Sequence, residues 1–546
     1  MPVRSLQAAT LVFLLSLAAL GWGVGSCGIA TAWLDPVDHV TAQNEAVYAH
    51  SAMRMASGDS WLTPKFLGRY ALSQPPLLDW TVATTVKMFG ASLWSLRLSS
   101  LAAGAFTATL VFYWLWRFRG LPTAVMGLLL VLSDPLFHAL ARVTMTDALL
   151  ALWLTAAMTW LVFDPALSRR ESPWIFGALA GLALMTKAVA GILPLGALAI
   201  YWLASSDRPR ARRVGWAFLA ALAVALPWYL YQLAANGRWL ASEYIPPGQL
   251  TFSVGGPQKG PRQPNLAFYA AHLWRTDPVL CAFSLLALPL WFQTVWNRGS
   301  ARAVALAAWC AVSVGAALEW DARRAWYLLP LIPALALVSV EFFPLRSRRA
   351  QTIAAALVAI AFFARLPASG QPWSLRFAPD APLDSSAGLE QYCARHRSND
   401  LIVIEPDDRF YSSDLALAHV RYCYLREPVL RRRPRLDLQF LGIVITAPEF
   451  NQLGADWRSV YRDRLREWHL DSGEPLATAI LARSPDEVER MIASHPETDF
   501  SLPGTWSLHW PPTHELWRPA GSRLFLLAKE TAVAQPRPGW RCAFHN

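Results

Sequence analysis

Charge is what this 546-residue chain has least of: 16% of its residues are charged and 54% hydrophobic, where a soluble domain carries about a quarter charged. That deficit excludes an ordinary soluble protein and makes lipid the solvent for most of the chain. Lysine is scarcer still, confined to Lys65, Lys87, Lys187, Lys259 and Lys529, so arginine carries the net charge of +11. These arginines do not spread into a nucleic-acid-binding face. They cluster between apolar runs, as in Ser168-Arg169-Arg170, 207–213 and 346–349, which is the pattern of short cytoplasmic loops. Six cysteines form no CxxC pair, which leaves no thiol motif for a metal or redox centre. Cys27, Cys281 and Cys310 fall in apolar runs, whereas Cys393, Cys423 and Cys542 fall in polar sequence. His39, His50 and His272 lack metal-ligand spacing.

What the chain has instead is apolar runs. The first, Ser5 to Leu34, contains no charge and reads as a retained anchor, because the Gly-Trp-Gly-Val-Gly stretch is not a small-residue cleavage site. Further spans read as 98–116, 120–137, 148–163, 173–186, 188–204, 214–234, 278–296, 303–318, 325–342 and 350–365. With a cytoplasmic N-terminus, every loop that falls inside is short and carries arginine. The outside receives 35–97, 235–277 and everything beyond 366. The expected fold is therefore a mainly α membrane protein with about 11 transmembrane helices in residues 1–368, followed by a soluble extracytoplasmic α/β domain over 369–546. In that domain Leu401-Ile402-Val403-Ile404, Phe440 to Ile445 and Leu524 to Leu527 read as strands, and Ser484-Pro485-Asp486-Glu487 opens a helix. Cys393 and Cys423 are candidates for a disulfide there. Asp407-Asp408 reads as a solvated strand end or a polar site.

Chemistry can be built only in the long outside loops, so a site faces outward. In the first, Thr41 to Gly58 reads as an amphipathic helix on the outer leaflet, with Glu45 and Tyr48 three apart. A second surface helix restarts at Gln74-Pro75-Pro76-Leu77-Leu78-Asp79-Trp80 and runs toward Arg97. Further along stand Arg142-Val143-Thr144-Met145-Thr146-Asp147-Ala148-Leu149-Leu150, Met185-Thr186-Lys187-Ala188, Pro227-Trp228-Tyr229 and Arg324-Ala325-Trp326-Tyr327. This ordered set, over residues 10 to about 345, resembles glycosyltransferase family 39, the bacterial protein O-mannosyltransferases and the 4-amino-4-deoxyarabinose transferases of lipid A.

The resemblance implies the type C glycosyltransferase (GT-C) fold. It also implies transfer of a sugar from a polyprenyl-phosphate donor to an extracytoplasmic lipid, glycan or protein at a bacterial inner membrane. Two positions depart from the family pattern: its aspartate is Asn44 and its lysine is Gln74, and each change removes a charge. Glu45 is the remaining acid of the pair, read either as activating the acceptor or holding a divalent metal, or as a helix-capping group. Asp147 is read as a catalytic carboxylate or as a helix-start charge favoured by the dipole. Lys187 interrupts an apolar stretch and is read as a phosphate contact or a snorkelling side chain. Arg69, Arg142 and Arg324 are read as phosphate contacts or interfacial anchors. Tyr48 and Gln74 are placed with the substrate, and Glu243 and Tyr269 border a glycine-rich stretch, 255–261, that reads as a lid. Two other classes stay open. One is a family member without activity that binds the lipid carrier or organises envelope glycan assembly. The other is a transporter, which fits less well because the spans offer no facing charges at mid-membrane.

Overall fold

The computed structural model describes residues 3–24, 30–33, 44–66, 69–244, 265–297, 300–319, 325–344, 347–365, 375–377, 401–405, 443–446, 477–482, 506–508 and 525–529. Helices dominate them. α1 (Val3–Gly21) is followed by α2 (Asn44–Ala56), a two-residue hairpin of β2 (Lys65–Phe66) and β3 (Arg69–Tyr70), and α3 (Leu77–Phe89). Next come α4 (Leu93–Arg119), α5 (Leu121–Ser133), α6 (Pro135–Leu140), α7 (Thr146–Phe163), α8 (Ser172–Thr186), α9 (Leu193–Ala204) and α10 (Ala211–Tyr244). The last helices described are α11 (Asn265–Thr276), α12 (Pro278–Trp296), α13 (Ala301–Glu319), α14 (Ile332–Glu341) and α15 (Arg348–Arg365), with a 3-10 turn over Ala325–Leu331. Each span read from residue 98 to 365 except 120–137 coincides with a helix or with a 3-10 turn running into one.

Among the described residues, five helical segments are long and apolar enough to cross a membrane: Leu93–Arg119, Thr146–Phe163, Ala211–Gly237, Pro278–Trp296 and Ala301–Leu318. Shorter apolar helices lie among them, including Gln7–Gly21, Leu121–Ser133 and Ser172–Thr186. One expected span, 120–137, is broken. α5 stops at Ser133 because Asp134 leaves the helical conformation and accepts the amide of Phe137 at 2.7 Å, restarting the chain as α6.

The first loop also differs from expectation. α2 buries Ala49, Ala52 and Met53 completely against protein. The helix expected to run from Gln74 toward Arg97 is two helices. Gly90 takes φ +80°, which an L side chain resists, and Ser92 then opens α4 through a reciprocal capping box with Ser95.

α8 and α10 pack closely because small residues let their backbones approach. A Cβ on Gly181 would lie 2.6 Å from Cβ of Val224 and 2.8 Å from the Ala221 carbonyl oxygen, and Gly177 faces Ala217 and Ala220 in the same way. Beyond the helices, strands β5 (Leu401–Glu405), β6 (Ile443–Thr446), β7 (Ala477–Ala482), β8 (Trp506–Leu508) and β9 (Phe525–Lys529) form a mixed sheet in the order β6-β5-β7-β9-β8. β5 runs parallel to β6 and β7, while β9 is antiparallel to β7 and β8. A separate pair joins β1 (Ala30–Trp33) to β4 (Leu375–Phe377). The helix expected from Ser484, the pair Asp407-Asp408 and Cys27, Cys393, Cys423 and Cys542 lie outside the described residues; Cys281 and Cys310 are free thiols.

The α8–α10 contact yields a prediction. Gly181→Leu destabilises the protein by about 1–3 kcal/mol through overpacking, whereas Gly215→Leu, whose Cβ meets nothing within 4 Å, leaves it unchanged. Thermal or denaturant unfolding in detergent reads the difference, and equal stability of the two variants contradicts the packing account.

Candidate functional site

Two ion pairs organise the region where α2, α3, α4, α7 and α8 meet. The first is fully buried. Arg97, in the first turns of α4, donates from Nε to Oε1 of Glu45 at 2.7 Å and from NH2 to Oε2 at 2.8 Å, while its NH1 reaches the Val24 carbonyl at 3.0 Å. Glu45 also accepts the backbone amide of Thr144 at 3.0 Å, and the Thr144 hydroxyl donates to the Leu96 carbonyl at 3.0 Å. Such a bidentate pair is geometrically exacting, and neither charge can be removed alone without stranding the other. Both Glu45 oxygens face the guanidinium, so a divalent cation there would have to displace Arg97. Among the described residues no group of three histidine, cysteine or acidic side chains could hold a metal.

The second pair is less enclosed. Antiparallel packing of α7 and α8 sets the start of one beside the end of the other. Asp147, in the first turn of α7, therefore accepts from Nζ of Lys187, just past the end of α8, at 2.7 Å. Helix dipoles favour both placements. Nζ of Lys187 also stands 5.3 Å from the centre of the Tyr327 ring. Tyr48 lies in the same field. Burial raises its hydroxyl pKa to about 12, opposed by Lys187 and raised further by Asp147, so it stays a proton donor. Gln74 holds the turn after α8, its Oε1 accepting the Ala188 amide at 3.3 Å. Four residues singled out in the sequence, Tyr48, Gln74, Asp147 and Lys187, thus come together.

The other candidates are dispersed. Arg142 is buried with its NH1 2.9 Å from Nε2 of His138, one turn earlier, which makes it an internal partner. Tyr269 is 4% exposed and packs edge-on against Phe268 within the helical core. Arg69 lies in β3, Asn44 begins α2 and Glu243 lies near the end of α10. Arg324 and the 255–261 stretch lie outside the described residues.

Three features escaped the sequence reading. Arg97 reads from the pattern as the limit of a surface helix, although a lone arginine entering an apolar helix demands a buried partner. Asp59 joins Arg54 at 2.6 Å and Lys65 at 3.3 Å, and although burial pushes its pKa up, the two cations hold it below the usual carboxylate range. Asp79, in the first turn of α3, is 6% exposed. Burial drives its pKa to about 7, and the nearby Ser51 offsets only part of that rise.

An apolar cleft of about 360 Å³ adjoins this cluster, lined by Leu62, Leu77, Trp80, Met185, Pro227 and Trp228 among others. Its wall is tied by Trp228 Nε1 donating to the Leu62 carbonyl at 2.8 Å and by Trp80 Nε1 donating to the Trp61 carbonyl at 2.5 Å.

Comparison with known proteins bears out the resemblance to glycosyltransferase family 39. The model of the dolichyl-phosphate-mannose-protein mannosyltransferase family matches residues 73–231. The undecaprenyl phosphate-alpha-4-amino-4-deoxy-L-arabinose arabinosyl transferase 1 of Sodalis glossinidius is 30% identical over 195 residues, which is 34% of this chain and 35% of that protein. The match thus spans about a third of that relative's length. In fold, the chain is similar to ArnT from Cupriavidus metallidurans, with a TM-score of 0.62 in the apo state at 15% identity, covering 98% of this chain and 100% of that one. The same protein bound to undecaprenyl phosphate gives 0.59 at 16% identity, covering 98% and 99%. The fold is therefore of the GT-C kind, and the chain is a multi-pass membrane protein.

Two predictions follow from the buried charges. Arg97→Met costs about 3–5 kcal/mol of stability by stranding Glu45; adding Glu45→Leu recovers most of that loss. A single variant as stable as wild type in reversible denaturation contradicts the pairing. For Asp79, the folded pKa exceeds the unfolded one, so its stabilising contribution is full below about pH 4 and is lost as pH rises through about 7. Asp79→Asn is accordingly close to wild type at about pH 3.5 and more stable at pH 8, and a pH-independent difference contradicts the buried-carboxyl assignment.

Proposed function

We propose that this chain, whose 73–231 segment is that of the dolichyl-phosphate-mannose-protein mannosyltransferase family, transfers a sugar from a polyprenyl-phosphate donor to an extracytoplasmic acceptor. The observation that carries the reading is the adjacency of the Lys187–Asp147 pair to an apolar cleft, with Tyr48 and Gln74 beside it. A polyprenyl-phosphate sugar needs this combination. A cation and hydrogen-bond donors receive the phosphate, and an apolar wall takes the first isoprene units. Lys187, held by Asp147, can direct a second ammonium hydrogen toward a phosphate oxygen while the Tyr48 hydroxyl and Gln74 amide donate.

In this reading the N-terminus is cytoplasmic at a bacterial inner membrane. About 11 spans, including the shorter apolar helices, form residues 1–368, and 369–546 forms an extracytoplasmic domain. The arginine-bearing short loops support that orientation. In the same reading Asn44 and Arg69, of loop 35–97, Glu243, of loop 235–277, and Arg324 complete the donor and acceptor surfaces. Glu45 acts by fixing α2 on α4 and Thr144, so that its neighbour Tyr48 meets Lys187.

One specific observation favours a second reading, that of a carrier-binding scaffold: the acids Glu45 and Asp147 both have cationic partners, and Asn44 and Gln74 are amides. A panel of undecaprenyl-phosphate sugars presented to the purified chain in nanodiscs, with lipid A and water as acceptors, separates the two. Transferase function predicts sugar release or transfer that Lys187→Met lowers about 100-fold and Gln74→Lys does not abolish. Tight carrier binding without turnover of any donor supports the scaffold instead, and loss of neither binding nor turnover in Lys187→Met overturns the phosphate role.

A further inference from the structure

The transfer chemistry proposed above must dispose of a proton, because an acceptor hydroxyl that bonds to the sugar's anomeric carbon gives up its hydrogen. A base for it must be a carboxylate not already committed to a cation. The described acids in this part of the fold are nearly all committed. Glu45 is held by Arg97, Asp147 by Lys187 and Asp59 by Arg54 and Lys65; Asp134 and Asp277 serve as helix caps for the amides of Phe137 and Leu280. Asp79 is different. It is buried, its Oδ1 meets no hydrogen-bond partner, and no ion pair reaches it among the described residues.

Its position suits the task. α3 packs along α2, where Asn44, Tyr48 and Ser51 fall four and three residues apart and so share one helical face. Asp79 acts electrostatically on Tyr48 and sits by Ser51, on the stripe that also meets Lys187 and Asp147. The sequence carries an amide at Asn44, where the family pattern has an aspartate, and a carboxyl at Asp79 near Ser51 and Tyr48. Other titratable groups on the elements packed against α3 are Glu45, His50 and Arg54 of α2, Arg97, Tyr113, Arg117 and Arg119 of α4 and Lys187 beyond α8, with Lys87 on α3 itself. None contributes to the shift of Asp79, which burial drives.

We propose that Asp79 is the proton-accepting residue of this site, an inference that rests on the transferase reading. The acceptor oxygen forms a bond to the anomeric carbon as the bond from that carbon to the phosphate oxygen breaks. The electron pair leaves with the phosphate, which departs as the polyprenyl-phosphate dianion, and the hydroxyl proton passes to the Asp79 carboxylate and then to water. Asp79 must be ionised at the outset, so turnover rises with pH through about 7.

The test uses the full chain in nanodiscs with whichever undecaprenyl-phosphate sugar of the panel it turns over, measuring kcat and donor KM from pH 5 to 9. Wild type should show a rising limb near pH 7. Asp79→Asn should lose about 100-fold in kcat with little change in KM and no such limb, while still binding undecaprenyl phosphate; Asp79→Glu should restore part of kcat and the limb. An Asp79→Asn protein with wild-type kcat and limb, or one changed only in KM, overturns the assignment alone. Absence of turnover in wild type overturns the transferase reading, and this inference with it.

Discussion

A guanidinium with no exposure to solvent sets the arrangement of the site. Arg97 enters an apolar helix and can remain charged there only if its partner is brought to it. That partner is Glu45, 52 residues earlier, and satisfying it fixes α2 against α4. Glu45 also holds the Thr144 amide, three residues before Asp147. One ion pair thereby sets Tyr48 on one side and Asp147 on the other of the space that Lys187 enters. Glu45 spends both carboxylate oxygens on the Arg97 guanidinium, which makes it the residue that fixes α2 on α4.

Below that pair the architecture is set by backbone proximity. Gly177 and Gly181 let α8 lie close on α10, and α8 carries Lys187 at its end. The apolar cleft opens where α3, α8 and α10 diverge, so cation and apolar wall are adjacent because the same helix supplies both Met185 and the turn to Lys187. Charge in this setting is costly unless paired, which explains why most acids here have partners and why a carboxyl left without one, Asp79, holds its proton to near neutrality.

Much of this was legible in the sequence because lipid imposes a simple rule on it. Apolar runs gave the helices from 98 onward, and the outer ends of two of them gave Asp147 and Lys187. The short runs at 401–404, 440–445 and 524–527 each contain or adjoin a strand, whereas the alanine-rich Ala477–Ala482 has little β-branched signal and was not singled out. Breaks at Asp134 and Gly90 were readable only from capping and positive φ, local features that hydropathy passes over. Arg97 with Glu45 and Arg142 with His138 could not be assigned from pattern, because a charge near a helix end looks the same whether it anchors to headgroups or turns inward to a partner.

The central claim is that the phosphate of a polyprenyl carrier is received at Lys187 beside Tyr48 and Gln74. A cryo-EM structure of the full chain in nanodiscs with undecaprenyl phosphate tests it most directly. The account predicts phosphate density within hydrogen-bond distance of Nζ of Lys187, with the chain running along Leu77, Met185 and Trp228. Phosphate held elsewhere, with the Lys187–Asp147 pair closed and the cleft empty, would contradict it.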